Sequence, residues 1–354
     1  MRKFLLITAI ALALTSYGVY QLIKSEQPSS KVTYSDRLRE IAEQVNSMNT
    51  TWKATSYAKW EGKSAEEIKV FLGSKLKTPE KKQDLLSSKV THQDKLFDTP
   101  LPTHFDSRQK WPDCESIREI RDQSKCGSCW AVSSAGAMSD RVCIASGQKD
   151  QRKISAADIL SCCTECGDGC DGGEEDIAFK VWAERGWVTG DAYKDDQWCR
   201  PYDFAPCAHH IPDSPLPSCN DGALYPTPSC RQSCVTDSHR TYEKDLIKAK
   251  SWYTLRGEED IAREVFENGP VAVGFTVYED FMTYSSGIYH HVTGESMDGH
   301  AVRIIGFGEE NGEKFWLIAN SWNNSWGENG TFRFRKGTNE CDMESDAVGG
   351  IADV

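Results

Sequence analysis

Fourteen cysteines constrain this chain more than any other feature, and all of them lie at or after Cys114. The chain opens with Arg2-Lys3, then an apolar run from Phe4 to Leu14, then small residues at Ser16 and Gly18. That order is a secretory signal, residues 1–18, with cleavage just after Gly18. An uncleaved anchor is the alternative, because Val19-Tyr20-Gln21-Leu22-Ile23 prolongs the apolar stretch, although the main run is short for a span. An exported chain meets an oxidising compartment, so its cysteines form a disulfide framework. Zinc is the competing use for Cys162-Cys163, Cys166 and Cys170, and for Cys207 with His209-His210. Adjacent cysteines in an exported chain fit disulfides to different segments better. Spacing alone leaves their connectivity open.

The distribution also divides the chain. Residues 19–100 are cysteine-free and rich in Lys, Glu and Ser, with a helical pattern from Ser35 to Val45. They read as a removable pro-segment before a crosslinked mature body, residues 101–354. Residues 199–234 hold five cysteines and seven prolines, which makes a crosslinked loop region. The last hundred residues change texture. Glu258 to Asn268 reads as a helix stopped by Gly269-Pro270. Strand-like runs follow at Val271–Val277, His300–Phe307 and Phe315–Asn320, the last two joined across Asn311-Gly312, a hairpin signal. Helices first and strands later indicate an α+β fold with two subdomains. With a net charge of −12 and no basic patch, a nucleic-acid partner is not expected.

Candidate chemistry begins at Cys129. The run Cys129-Trp130-Ala131-Val132-Ser133-Ser134-Ala135 predicts a buried helix starting near Ser128 or Cys129. A thiol in the first turn faces unpaired N–H groups and the positive end of the helix dipole, which favour the thiolate nucleophile. A structural half-cystine, or a Cys126/Cys129 redox pair, is the other reading of these residues. His300 and Asn320 lie nearly equidistant from the hairpin turn, so they are cross-strand neighbours to within a residue or two. An amide oxygen beside one ring nitrogen leaves the other free to take a proton from a thiol.

Three separated motifs, Gln123…Cys129-Trp130, Gly299-His300-Ala301 and Asn320-Ser321-Trp322-x-x-x-Trp326-Gly327, resemble the papain-like cysteine proteases. Cys162-Cys163, Cys166-Gly167-Asp168-Gly169-Cys170, Cys199-Arg200-Pro201-Tyr202 and Cys207-Ala208-His209-His210 are similar to the cathepsin B branch, as is Asn49-Thr50-Thr51-Trp52-Lys53-Ala54 in the pro-segment. The resemblance spans essentially the whole chain. It implies a papain-like two-subdomain fold, with a helical left subdomain (about 113–247) and a β-barrel-like right one (about 248–350) around an active-site cleft. It assigns Cys129 as nucleophile, His300 as base and then acid, Asn320 as its orienter, Trp322 as a shield, and Gln123 as oxyanion donor with the Cys129 N–H. It implies the disulfides Cys114–Cys143, Cys126–Cys170, Cys162–Cys230, Cys163–Cys166, Cys199–Cys234 and Cys207–Cys219, with Cys341 free. That set leaves Cys129 as a thiol.

The resemblance further implies a zymogen whose pro-segment covers the groove in the direction opposite to a substrate and is released by acid. Substrates are proteins and peptides. Its expected partners are its own pro-segment and cystatin-type inhibitors, and it is expected to be a monomer with no cofactor and no metal. The secretory pathway would deliver it to a lysosome or to an extracellular or digestive lumen. Gly172 and Gly173 line the substrate groove. Asp346, with Glu174 and Glu175, is expected to form an acidic pocket for a basic P2 side chain. The loop 207–219 would occlude the primed end, with His209 and His210 binding a C-terminal carboxylate and Asp122 clasping His209, so that dipeptides are removed beside endopeptidase cleavage. Asn49, Asn323 and Asn329 head glycosylation sequons.

Departures from the family pattern are Ser124 in place of a glycine, Asp171 in place of an asparagine, and Asp298 in place of the first glycine before His300. Asp298 puts a carboxylate near His300, where it would either raise the His300 pKa by Coulomb attraction or clutter the leaving-group side. None removes a catalytic atom. The alternatives to a peptidase are a catalytically silent binding homologue of the same branch, and a disulfide-rich inhibitor or redox protein, which leaves His300 and Asn320 unexplained.

Overall fold

The structure is a computed structural model that describes residues 33–57, 60–78, 100–208, 216, 217, 219, 225–235 and 238–354. The signal run and the paired histidines His209 and His210 lie outside the described residues. Among the described residues, the α-helices of five residues or more are α1 (Tyr34–Ser47), α2 (Ala65–Lys69), α3 (Cys129–Ala145), α4 (Ala156–Cys162), α5 (Glu175–Glu184) and α6 (Glu258–Asn268). The strands are β1 (Trp52–Ala54), β2 (Phe105–Asp106), β3 (Ala249–Leu255), β4 (Val271–Tyr278), β5 (Tyr284–Tyr289), β6 (Ser296–Glu310), β7 (Glu313–Ala319), β8 (Thr331–Arg335) and β9 (Ala347–Ala352).

α3 is the axis of the first half. Fifteen of its seventeen residues are buried, from Cys129 to Cys143. Its small residues let neighbours approach closely, and it packs on α4 and α5 on one side and on β6 and β9 on the other. Two buried ion pairs lock α3 to its neighbours: Arg303 of β6 to Asp140 at 2.6 Å and Arg141 to Glu264 of α6 at 2.8 Å. Removing one partner of such a pair would strand a buried charge. Six disulfides form with the pairings that the resemblance implied, all between Cys114 and Cys234. Every cysteine weighed above as a zinc ligand is therefore oxidised.

The second half is one sheet in the order β1-β5-β8-β7-β6-β4-β9-β3, with β2 added on β6. Neighbours are antiparallel except β5 and β8. β4 is buried almost along its length, as expected for a β-branched run covered on both faces. The sheet is open: β1 and β3 end it and do not pair with one another, so the barrel-like half expected from the family is not closed. Each end strand is accounted for. β3 packs against α5, and β1 is contributed by the pro-segment, whose Trp52 faces Gly287 of β5.

The pro-segment docks chiefly on the β-rich half. α1 buries Leu38, Ile41, Ala42 and Val45, an i, i+3, i+4, i+7 stripe, against the turn at Glu279–Thr283. Trp52 and Trp60 are fully buried and donate through Nε1 to the carbonyls of His290 and Met282. They join a cluster with Phe281, Tyr284, Tyr289, Trp326 and Phe332.

Candidate active site

Cys129 is the first residue of α3, with Ser128 at the N-cap making no side-chain cap bond. The loop before it is fixed by three neighbours. Cys126 is crosslinked to Cys170, the Gly127 N–H donates to the Cys170 carbonyl at 3.0 Å, and Ser128 Oγ meets Tyr202 Oη at 2.6 Å. Gln123 enters from the same loop. Its Oε1 accepts from Ser321 Oγ at 2.7 Å, which aims Nε2 toward the thiol side of the site. Sequence reasoning did not find Tyr202 or Ser321 in these roles, because neither carries chemistry of its own.

His300 stands on β6 and is fully buried. Its Nε2 lies 2.8 Å from Asn320 Oδ1, and the Trp322 ring stacks on it with centroids 4.7 Å apart. Nδ1 has no hydrogen-bond partner among the described residues, so it is the nitrogen open to a proton. The expected proximity of His300 and Asn320 is present, though not as direct cross-strand partners. The last β6–β7 pair is Arg303 with Ala319, after a bulge between Ile304 and Gly306, and Asn320 reaches back from just beyond the strand end. Next to His300, the Ala301 N–H points at Cys129 Sγ at 3.4 Å.

The pro-segment lies over this constellation. The Gly73 N–H donates to Cys129 Sγ at 3.2 Å, and the Phe71 carbonyl accepts from Gln123 Nε2 at 3.1 Å. The strip therefore occupies both Cys129 and Gln123, the residues expected to be nucleophile and oxyanion donor. Gly73 is required there: a Cβ would sit 1.9 Å from the Gly127 carbonyl oxygen. The strip pairs in parallel with Gly173, through Gly173 N–H to Gly73 O and Lys75 N–H to Gly173 O, both at 2.9 Å, while the Ser74 N–H donates to Gly299 O at 3.0 Å.

Burial under the strip sets the protonation states. It pushes the Cys129 thiol up to about 12, against lowering by the N–H groups of Ala301, Gly73 and Trp130. It pushes the His300 imidazole down to about 4, against the Asn320 bond. The covered site thus holds a neutral thiol beside a neutral imidazole, and the helix-end stabilisation of a thiolate expected above is outweighed by desolvation. Of the two readings of Asp298, the upward pull on His300 is not among the causes that set its state, which are burial and the Asn320 bond. Asp298 is exposed and its Oδ1 accepts from its neighbour Gly299 N–H at 2.8 Å.

The pocket beside Gly173 is acidic, with a different membership from the one expected. Lys77 of the pro-segment enters it, 3.0 Å from Asp346 and 3.3 Å from Asp176. Glu175 lines the same pocket, and burial pushes its carboxyl up to about 7 despite the Lys77 charge. Glu174 does not line it. It is the N-cap of α5, and the helix turns Asp176 inward in its place. The pair Glu174-Glu175 signalled a carboxylate cluster, but Asp176 was missed because the phase of the helix start was not legible.

The root of the 207–219 loop is held by Asp122 and Asn323. Asp122 Oδ2 accepts from the Cys207 N–H and from Asn323 Nδ2, both at 3.2 Å, and Asn323 Nδ2 also donates to the Cys207 carbonyl at 2.8 Å. Both hydrogens of that amide are directed inward, and a glycan would replace one of them. Asn49 and Asn329 are exposed. Ser124, the residue in place of a family glycine, adopts φ 55, and its Oγ lies 3.5 Å from Cys207 Sγ. Cys341 is a free thiol away from this site, next to Glu340.

Residues 101–351 match the family described as papain family cysteine protease. The chain is 44% identical over 301 residues to a cathepsin B-like cysteine proteinase of Schistosoma japonicum, covering 85% of this chain and 86% of that one. It is 40% identical over 354 residues to cathepsin B-like cysteine proteinase 4 of Caenorhabditis elegans, covering 99% and 100%. Among solved structures it resembles procathepsin B S9 from Trypanosoma congolense, with a TM-score of 0.72, 34% identity, and coverage of 89% of this chain and 98% of that one.

Proposed function

Since the chain belongs to the papain family of cysteine proteases, among its cathepsin B-like members, we propose that once uncovered it hydrolyses peptide bonds through an acyl-enzyme on Cys129. His300 Nδ1 takes the thiol proton and the sulfur attacks the scissile carbonyl. Gln123 Nε2 and the Cys129 N–H receive the oxyanion. His300 then gives the proton to the leaving amine, and water, deprotonated by the same nitrogen, hydrolyses the thioester. Asn320 fixes the ring, and Trp322 keeps water from that bond.

The observation that carries this reading is the placement of the pro-segment. A backbone N–H on the sulfur and a carbonyl on Gln123 occupy the two positions that a reacting peptide would use. A catalytically silent homologue would need neither. The chain is then a zymogen with a removable segment spanning residues 19–100, made in the secretory pathway, with glycans at Asn49 and Asn329 rather than Asn323. The test is turnover of a peptide substrate after conversion at acid pH. Cys129→Ser should lose essentially all of it while remaining folded, since the thiol makes no crosslink. Retained turnover in folded Cys129→Ser protein would falsify the mechanism.

Two finer activities belong to this proposal. A P2 pocket with Asp346 and Glu175 on its wall selects basic side chains. The loop carrying His209 and His210 directs the enzyme to C-terminal dipeptides, with Asp122 supporting its root. The second is read by the ratio of cleavage of a substrate with a free C-terminal carboxylate to one blocked there. Asp122→Ala should lower that ratio, and an unchanged ratio would remove Asp122 from the assignment.

A further inference from the structure

Within the peptidase reading, one feature of the acidic pocket goes further. The side chain of Lys77 is only 5% exposed, and its ammonium is the cation seated between Asp176 and Asp346. Asp176 is fully buried, and neither of its carboxylate oxygens has a hydrogen-bond donor among the described residues; Glu175 Oε1 has none either. A buried carboxylate is stabilised by a cation beside it. When the pro-segment leaves, the place of the Lys77 ammonium beside Asp176 and Asp346 falls vacant.

The remaining charged groups around the pocket do not fill that place. Lys75 also lines the pocket, but its ammonium is paired with Asp168 and it leaves with the same strip, and Asp342 adds a further carboxylate to the lining. Gly274 keeps the space open: a Cβ there would lie 2.6 Å from Ser74 Oγ. About 40 Å³ remains unfilled beside Lys77, which is room for the broader guanidinium of arginine.

We propose that Lys77 is a resident pseudo-substrate side chain and that Asp176, with Glu175 and Asp346, forms a receptor for one basic side chain, so that the groups selecting a basic P2 residue also hold the zymogen shut. Asp176 is thereby a specificity-determining residue. The strip runs opposite to a substrate, yet the pocket reads charge and length, which a lysine presents from either direction.

The test uses the full chain and two substrates that differ only in Arg or Leu at P2. In Asp176→Asn enzyme, quantified by active-site titration so that only folded protein counts, the Arg/Leu ratio of kcat/KM should fall about tenfold or more. In Lys77→Met zymogen, kept uncleaved near neutral pH, labelling by a thiol-directed peptidyl inhibitor should speed up about tenfold, while Lys77→Arg should restore slow labelling. The mature enzymes from both Lys77 variants lack residue 77 and serve as internal controls. An unchanged Arg/Leu ratio in Asp176→Asn, or equally slow labelling of Lys77→Met and wild-type zymogen, would overturn the proposal. Failure of the peptidase reading itself would look different: neither substrate would be turned over.

Discussion

The wall that carries Cys129 holds all six disulfides, between Cys114 and Cys234, whereas the wall that carries His300 holds none and consists of paired strands around an aromatic cluster. The difference follows from what each wall must hold still. The proposed nucleophile, Cys129, sits where a loop becomes a helix, with little regular backbone pairing around it, so crosslinks such as Cys126–Cys170 fix the loop and at the same time leave Cys129 as the thiol of that wall. The proposed base, His300, sits inside a strand, where ladder hydrogen bonds already fix the backbone and burial of large rings supplies the energy. The pro-segment spans the division. Its helix and tryptophans anchor on the sheet wall, and its extended strip bridges the two, binding Gln123, Cys129 and Gly173 on the crosslinked wall and Gly299 and Asp346 on the sheet wall.

The largest way to break the comparison is in the sheet wall. Trp326→Ala should cost about 3–5 kcal/mol, because it opens a cavity among Phe281, Tyr284 and Phe332. Urea unfolding of the Cys129→Ser zymogen measures it, and a loss under 1 kcal/mol would mean that the cluster is not what stabilises this wall. In the other wall, replacing Cys126 and Cys170 together by Ser should cost about 2–4 kcal/mol. Hydrogen exchange should show that loss at the loop before Cys129 with β6 and β7 unaffected. Uniform loss across both walls would contradict their separate means of support.

A smaller effect concerns the anchor. Burial pushes the Glu279 carboxyl up, but the Arg37 guanidinium and the Glu295 N–H outweigh it and hold it below the usual range. A lowered carboxyl contributes docking energy that is fully present above its ordinary pKa and is lost as pH falls through the lowered value. Acid should therefore loosen the anchor. Because Arg37 is nearly half exposed, the pair is discounted to about 1 kcal/mol. Arg37→Gln zymogen should label with a thiol-directed inhibitor about fivefold faster near neutral pH and converge with wild type in acid. A pH-independent difference would rule this pair out as an acid trigger. The smallest expected effect is at Ser124, where φ 55 disfavours a side chain. Ser124→Gly should stabilise the Cys129→Ser zymogen by about 0.5 kcal/mol, and a loss of stability would show that the Oγ contact with Cys207 matters more.

The two walls also differed in how legible they were. Helix α6 runs over the residues that its pattern predicts, and the hairpin β6–β7 follows from Asn311-Gly312 between β-branched runs, since local chemistry decides such elements. The meeting of Cys129 and His300 across the cleft could not be read from periodicity. It came from the family motifs. The positions that escaped were those set by three-dimensional phase. Asp176 in place of Glu174 depends on where α5 begins its first turn, and Asn323 as a loop tether depends on a left-handed turn at that residue. Which way Asp298 acts was also not legible, because adjacency in sequence says nothing of which way a strand-end carboxylate folds.

The central claim is that Cys129 is a catalytic thiol kept neutral and covered until the pro-segment leaves. Labelling with a thiol-directed peptidyl inhibitor, located by peptide mapping before and after acid conversion, tests it most directly. The account predicts almost no labelling of the uncleaved chain near neutral pH, and about one label per molecule at Cys129 after conversion. Labelling at Cys341 instead, or equal labelling of Cys129 in the uncleaved and converted protein, would contradict it.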